Sequence, residues 1–287
     1  MKIVHCSDIH FGTEDPEIVR AMESRITEIE PDLIVASGDF TMAGRAREFA
    51  GASSLLRRLG KATGSLIVAT PGNHDLPVYD LISRFVRPLG RYRRWMGPVS
   101  QRAFVDERVA VLSLNSARPW DFSLNWSNGR LSTKQILEAD RFFAAAADVP
   151  FRALVVHHPF HVPEALPGFR RIGRCDEMLD VLARRRVHAV LSGHLHLREV
   201  IARDMDIEAD RWTVRLVQAG TATSVRERDG SERNSFNLLR IGLPSGADGG
   251  DHNGRGAGMG GVPAIDIEPQ VWDGVRFVAG DPAIRSA

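Results

Sequence analysis

At 287 residues, with 43% apolar and 25% charged side chains, the chain can bury a full core as one large domain or two small ones. A formal net charge of +1 excludes any strong global pull toward nucleic acid or membranes. Two distant cysteines, Cys6 and Cys175, rule out a disulfide framework, and no apolar stretch reaches the length of a bilayer span. The expectation is a reduced, cytoplasmic protein with no membrane partner, whose residues 2–7 already read as a strand rather than a leader.

In chain order, short runs rich in Val, Ile, Leu and Ala at 2–7, 33–37, 66–70, 109–115, 153–157 and 189–192 predict strands covered on both faces. Amphipathic helices are predicted between them at 14–29, 45–59, 78–87, 133–146 and 176–185. Asp15-Pro16 suits a first turn, and Ser132 with Gln135 three positions on has the spacing of a capping box. The basic runs Arg57-Arg58-Leu59-Gly60-Lys61 and Arg184-Arg185-Arg186 fall at helix C-termini, where they complement the macrodipole. After residue 196 the helices stop. Runs at 212–218, 236–241, 265–272 and 276–278 predict an antiparallel set flanking or facing the first sheet. The simplest architecture is α/β: a four-layer α-β-β-α sandwich of two mixed sheets in a single domain spanning 1–287. Residues 243–263 lie in GLPSGADGGDHNGRGAGMGGVPA, too glycine-rich to order cheaply, and are expected to form a flexible hairpin loop with His252 solvated.

Five clusters stand at the strand ends: Asp8-Ile9-His10, Gly38-Asp39, Gly72-Asn73-His74-Asp75, His157-His158 and Gly193-His194-Leu195-His196. Parallel strands deliver such side chains to one sheet edge, where open α/β proteins hold ligands. Carboxylate, amide oxygen and imidazole together suit two divalent cations. Asp39, with Gly38 beside it for room, is the natural bridge between ions about 3.5–4 Å apart. Asp8 and His10, at alternate positions of an extended segment, should point to the same side, and His194 and His196 repeat that spacing. Asn73 adds an amide oxygen and His157 another imidazole. His5 reads as packed or as a support behind the ligands, Cys6 as packed and Asp75 as a capping or orienting group. His158 should point to the opposite face from His157 unless the backbone turns, in which case it can support the ligands.

This set resembles the calcineurin-like metallophosphoesterase superfamily, with all five blocks in family order across residues 8–196. The resemblance implies that Asp8, His10, Asp39 and His196 hold the first metal and that Asp39, Asn73, His157 and His194 hold the second. It leaves His74 outside the ligand set, facing substrate, where an imidazole can protonate a leaving alkoxide or hold a phosphoryl oxygen. Mn or Fe is favoured, with Zn and Co also suited. The implied reaction is in-line attack of metal-bound hydroxide on phosphorus, without a phosphoenzyme.

Within the superfamily, Gly72-Asn73-His74-Asp75, His157-His158-Pro159 and Gly193-His194-Leu195-His196 are similar to the bacterial class III cyclic nucleotide phosphodiesterases and their glycerophosphodiesterase relatives. Asp39 is followed by Phe40-Thr41-Met42-Ala43-Gly44, which lacks the protein phosphatase signature, and His74 stands where the lipid A pathway hydrolases tend to carry Arg. The first expectation is a phosphodiesterase on a small organic diester. Two rivals remain: a phosphomonoesterase, with Arg118, Arg170 or Arg171 meeting the extra charge, and a non-catalytic metal-binding module. The irregular segments 116–130 and 159–174 leave the same edge; Trp120, Phe122 and Trp126 either line a pocket there or pin the loops. A homodimer through the late strands is compatible with the pattern.

Overall fold

The computed structural model describes residues 1–120, 127–207, 210–225, 233–242 and 262–281, with the backbone of 284–286. The apolar runs form strands that alternate with helices: β1 (Lys2–Cys6), α1 (Pro16–Ile29), β2 (Leu33–Ala36), α2 (Ala46–Thr63), β3 (Leu66–Ala69), α3 (Leu81–Val86) and α4 (Gly90–Met96). The second half brings β4 (Ala103–Val105), β5 (Val109–Ser113), α5 (Thr133–Ala145), β6 (Phe151–Val155), α6 (Cys175–Arg184) and β7 (Ala189–Ser192). Six strands follow: β8 (Glu199–Ile207), β9 (Asp210–Gln218), β10 (Ser235–Gly242), β11 (Ala264–Trp272), β12 (Phe277–Ala279) and β13 (Ile284–Ser286).

Two mixed sheets result, ordered β12-β11-β10-β1-β2-β3 and β13-β8-β9-β7-β6-β5-β4. Side-chain alternation decides the layers. On β1, Ile3 joins a core shared by both sheets, containing Val35, Val111, Ala153, Leu191 and Val217. Its neighbours Val4 and Cys6 turn the other way, onto Met22 and Ile26 of α1 and Phe49 and Leu56 of α2. On the far sheet Leu154 and Val190 face Phe143 of α5 and Met178 and Leu182 of α6. This is the four-layer α-β-β-α sandwich expected from the sequence. Local signals act as expected too. Asp15 accepts from Glu17 N ahead of Pro16, and Ser132 and Gln135 close a capping box. Arg58 forks onto Glu23, while Arg184 and Arg185 share Asp140, so both basic runs are tied down within the fold.

The late strands depart from expectation. They do not form one antiparallel set: β10, β11 and β12 extend the first sheet beyond β1, each antiparallel to the strand before it, whereas β9 lies parallel to β7 in the second. The cause is β8, unrecognised in the sequence because its second half, from Arg203, is charged and mostly exposed. The chain crosses past β7, runs out along β8 and returns antiparallel as β9, so β9 meets β7 in the parallel sense. The glycine-rich stretch at 243–261, including His252, and the mouth residues Phe122 and Trp126 lie outside the described residues. No helix among the described residues is long and apolar enough to cross a membrane.

Candidate metal centre

The five clusters leave the C-terminal ends of β1, β2, β3, β6 and β7 and meet at the edge common to the two sheets. Their backbones are laced together: Asp8 N donates to Gly38 O, His10 N to Asp39 O and Gly193 N to His157 O, each at 3.0 Å. Asp8, His10, Asp39, His194 and His196 all adopt left-handed φ, between 51° and 75°. That conformation is costly for residues with a side chain and persists where the surroundings over-determine it. It also corrects the extended-segment argument. Asp8 and His10 converge because the backbone turns left-handed at both, not because a strand places alternate residues on one side.

Two groups of donor atoms emerge. In the first, His10 Nε2 and His196 Nε2 lie 3.1 Å apart, and Asp8 Oδ1 stands 3.5 and 3.2 Å from them. In the second, His157 Nε2 is 3.1 Å from Asn73 Oδ1 and 3.3 Å from Asp39 Oδ2. Asp39 Oδ2 is also 3.8 Å from His10 Nε2, which places this carboxylate between the groups. The His194 ring lies edge-on to that of His157, centroids 5.2 Å apart, with its backbone N–H held by Asp8 Oδ2. The structure thus brings together all seven side chains singled out as metal donors.

The donor set suits a cation. Asp8 Oδ1 and Asp39 Oδ2 are buried and accept no hydrogen bond, whereas the opposite oxygens do: Asp8 Oδ2 from Ser7 Oγ and His194 N, Asp39 Oδ1 from His74 N. His157 Nδ1 faces Ser37 O at 2.8 Å, so Nδ1 is the donor, and a neutral ring turns its Nε2 lone pair toward two other acceptors. Burial pushes the Asp8 and Asp39 carboxyls up, yet the surrounding imidazoles outweigh it and hold both below the usual carboxylate range. Burial likewise lowers His157, but Asp39 dominates and pushes it up to about 9. Without metal, a proton must satisfy the buried carboxylates. A divalent cation does so with neutral imidazole.

His74 is half-buried beside this cluster. Its Nδ1–H donates to Met42 O at 2.8 Å, and its ring stands edge-on to His10 with centroids 5.0 Å apart. Asp75 accepts from Thr41 N, Thr41 Oγ1 and Gly72 N, holding the β2 and β3 turns together as expected. Burial and then the Asp39 charge push it up to about 7. His5 is buried against Ser37 Oγ at 2.9 Å. At His158 the backbone does turn. Its ring lies 4.9 Å from His157 and 4.8 Å from His194, with Nδ1 on Ser116 Oγ at 2.8 Å, because the chain has left β6 before residue 157 and strand alternation no longer applies.

The sequence offered no sign of the positioning hydroxyls Ser7, Ser116, Thr221 and Thr223. Thr221 and Thr223 grip the Asp8 and Ile9 carbonyls from the segment after β9. Glycine gives the site room, most tightly at Gly72 and Gly193. A Cβ on Gly72 would overlap the Asp39 carboxylate, and one on Gly193 would overlap Ser7 and Asp8. Gly72→Ala is therefore expected to weaken metal binding by about 10–100-fold, as losses of orienting contacts do, while the protein stays folded. Metal titration followed by circular dichroism checks both.

The profile of the calcineurin-like phosphoesterases matches residues 1–198. The chain belongs to this family. Calcineurin-like phosphoesterases are metal-dependent phosphoric ester hydrolases with a binuclear divalent centre, and the carboxylate–imidazole cluster supplies donors of that kind. No curated protein sequence matches this family member significantly. Among solved structures, a dimetal phosphatase from Danio rerio aligns with a TM-score of 0.54 at 11% identity, over 83% of this chain and 92% of its own. A purple acid phosphatase from yellow lupin (Lupinus luteus) aligns at 0.58 and 12% identity, over 100% of this chain and 54% of its own. A 5'-nucleotidase precursor from Thermus thermophilus aligns at 0.54 and 13% identity, over 94% and 54%. The chain spans about half the length of the last two. At such identities the likeness is one of fold.

Proposed function

We propose that this calcineurin-like phosphoesterase is a phosphodiesterase acting in the cytoplasm on a small organic diester, of cyclic nucleotide or glycerophosphodiester type, with Mn or Fe as the favoured metals. The observation that carries the hydrolytic reading is Asp39, set between two imidazole groups with a buried oxygen that accepts no hydrogen bond. Asp8, His10 and His196 would hold one ion beside it, and Asn73, His157 and His194 the other. Bound there, the ions supply an activated water and neutralise charge on the phosphoryl oxygens.

The chain's own residues do the rest. Ser37 O fixes the His157 tautomer, so its Nε2 is the ligating nitrogen. Met42 O fixes His74 in the same way, leaving Nε2 to exchange a proton with the leaving oxygen or to hold a phosphoryl oxygen. A diester carries a single negative charge. The second charge of a monoester asks for further cations, and Arg171, one candidate, is already forked onto Asp176 at 3.0 and 3.3 Å. That pair occupies one of the three arginines named for the monoester reading.

The test is to strip the protein of metal, restore Mn and compare bis-p-nitrophenyl phosphate with p-nitrophenyl phosphate, with the stripped protein as control. Strong preference for the diester is expected. Preference for the monoester would overturn the substrate class while leaving the metal centre intact.

A further inference from the structure

Helix α3 is amphipathic in the wrong direction. Leu81 and Phe85, and Ile82 and Val86, are i, i+4 pairs on adjoining stripes, the pattern expected to face a core. All four are exposed, Ile82 at 80% and Val86 at 70%, and Tyr79 just before them is 76% exposed. The inward residue is Arg84, 2% exposed, whose Nε donates to Pro119 O at 2.9 Å and whose Nη1 donates to Pro77 O at 3.1 Å. A buried guanidinium thus pins the helix from beneath while its apolar face looks outward. The next helix behaves normally: on α4, Met96 is buried, Tyr92 and Trp95 pack on the core, and Arg93 and Arg94 point out.

Contiguous exposed apolar side chains of this size mark a surface that something covers. Charge indicates what. Residues 77–97 contain five arginines and one aspartate, a local net charge of +4 in a chain of +1. Arg91 is used on Asp80 and Gly44 O. Arg87, Arg93 and Arg94 are exposed and, among the described residues, form no ion pair. Arg45 lies over the Tyr79 ring at 5.0 Å. A second copy seated by two-fold symmetry would set these arginines against themselves. An anionic bilayer accepts both features, the apolar residues entering the acyl boundary and the arginines meeting the headgroups.

We propose that α3, with Tyr79 before it and the arginines of α4 beside it, docks this protein on an anionic lipid surface. The face adjoins the metal centre. Val78 N bonds Ala43 O, and Arg84 joins the stretch just after Asp75 to Pro119 of the mouth segment, beside the half-exposed Trp120. Docking would therefore turn the mouth toward the membrane. This revises the sequence expectation, in which a balanced total charge concealed a local excess and a helical period implied a buried face.

The test is flotation of the full chain with phosphatidylcholine vesicles, with and without phosphatidylglycerol, at low and high salt. Salt-sensitive binding to the anionic vesicles is expected, lost in Ile82→Asp/Phe85→Asp and weakened about tenfold in Arg93→Ala/Arg94→Ala. Both variants should keep wild-type hydrolysis of a soluble diester, showing that they fold. No flotation of the wild type, or flotation unchanged in the Asp variant, would overturn the proposal. So would light scattering that finds a dimer split by the Asp variant without vesicle binding, which would assign the face to self-contact. Vesicle binding is read without activity, so its failure is distinct from failure of the diesterase reading.

Discussion

Asp39→Ala is expected to abolish hydrolysis and leave the protein unable to hold either metal ion. The reason is the position of one carboxylate oxygen, 3.3 Å from His157 Nε2 and 3.8 Å from His10 Nε2, between the two donor groups. Loss of Lewis-acid stabilisation amounts to several kcal/mol, so turnover should fall by about a thousandfold or more. Folding should survive. In the metal-free protein the variant loses the buried Asp39–His157 pair and the contact to His74 N, partly offset by relief of the repulsion that pushes Asp75 up, a local cost that a core of this size can bear. The thermal response separates the explanations. At saturating Mn, about 100-fold above the dissociation constants, the wild type should gain about 2.7 kcal/mol per ion, or roughly 10 °C in Tm for the two. Asp39→Ala should show no such gain, its metal-free Tm lying at or below that of the wild type because the buried Asp39–His157 pair is lost. A metal-induced rise in the variant would mean that Asp39 is not the bridge.

His74→Ala should behave in the opposite way, keeping both ions but losing turnover. His74 is tied through Nδ1 to Met42 O and through its backbone N–H to Asp39 Oδ1, so only the imidazole beyond Met42 is offered to substrate. Loss of a general acid costs about 10²–10⁴-fold. The size of the loss should follow the leaving group. An alkyl diester, whose alkoxide must be protonated, should suffer most, and a p-nitrophenyl diester least. Equal losses on both would make His74 a holder of phosphoryl oxygen rather than a proton donor. Loss of metal would remove it from the catalytic role altogether.

Much of the fold was legible because apolar runs and helix caps are local. The parallel strands and the capping box at Ser132 need only their own neighbours to be recognised. Strand β8 was hidden because half of it is charged, and with it went the parallel placement of β9. Helix α3 was legible as a helix, but not the inversion of its faces, which depends on carbonyls at Pro77 and Pro119 that meet Arg84 only in the folded chain.

The candidate site shows the same division. Asp8, His10, Asp39, Asn73, His157, His194 and His196 were singled out by residue type at strand ends. How they converge was not, since left-handed turns at five of them replace the alternation a strand would give. His158 turns inward because the chain has left β6 before it, so strand alternation no longer applies. The hydroxyls of Ser7, Ser116, Thr221 and Thr223 carry no pattern of their own, and their contacts span from one to more than two hundred residues.

The most direct test of the metal centre is anomalous diffraction from crystals grown with Mn. Two peaks are predicted on either side of Asp39 Oδ2, one bounded by Asp8, His10 and His196 and the other by Asn73, His157 and His194. A single peak, or two peaks that do not share Asp39, would contradict the account.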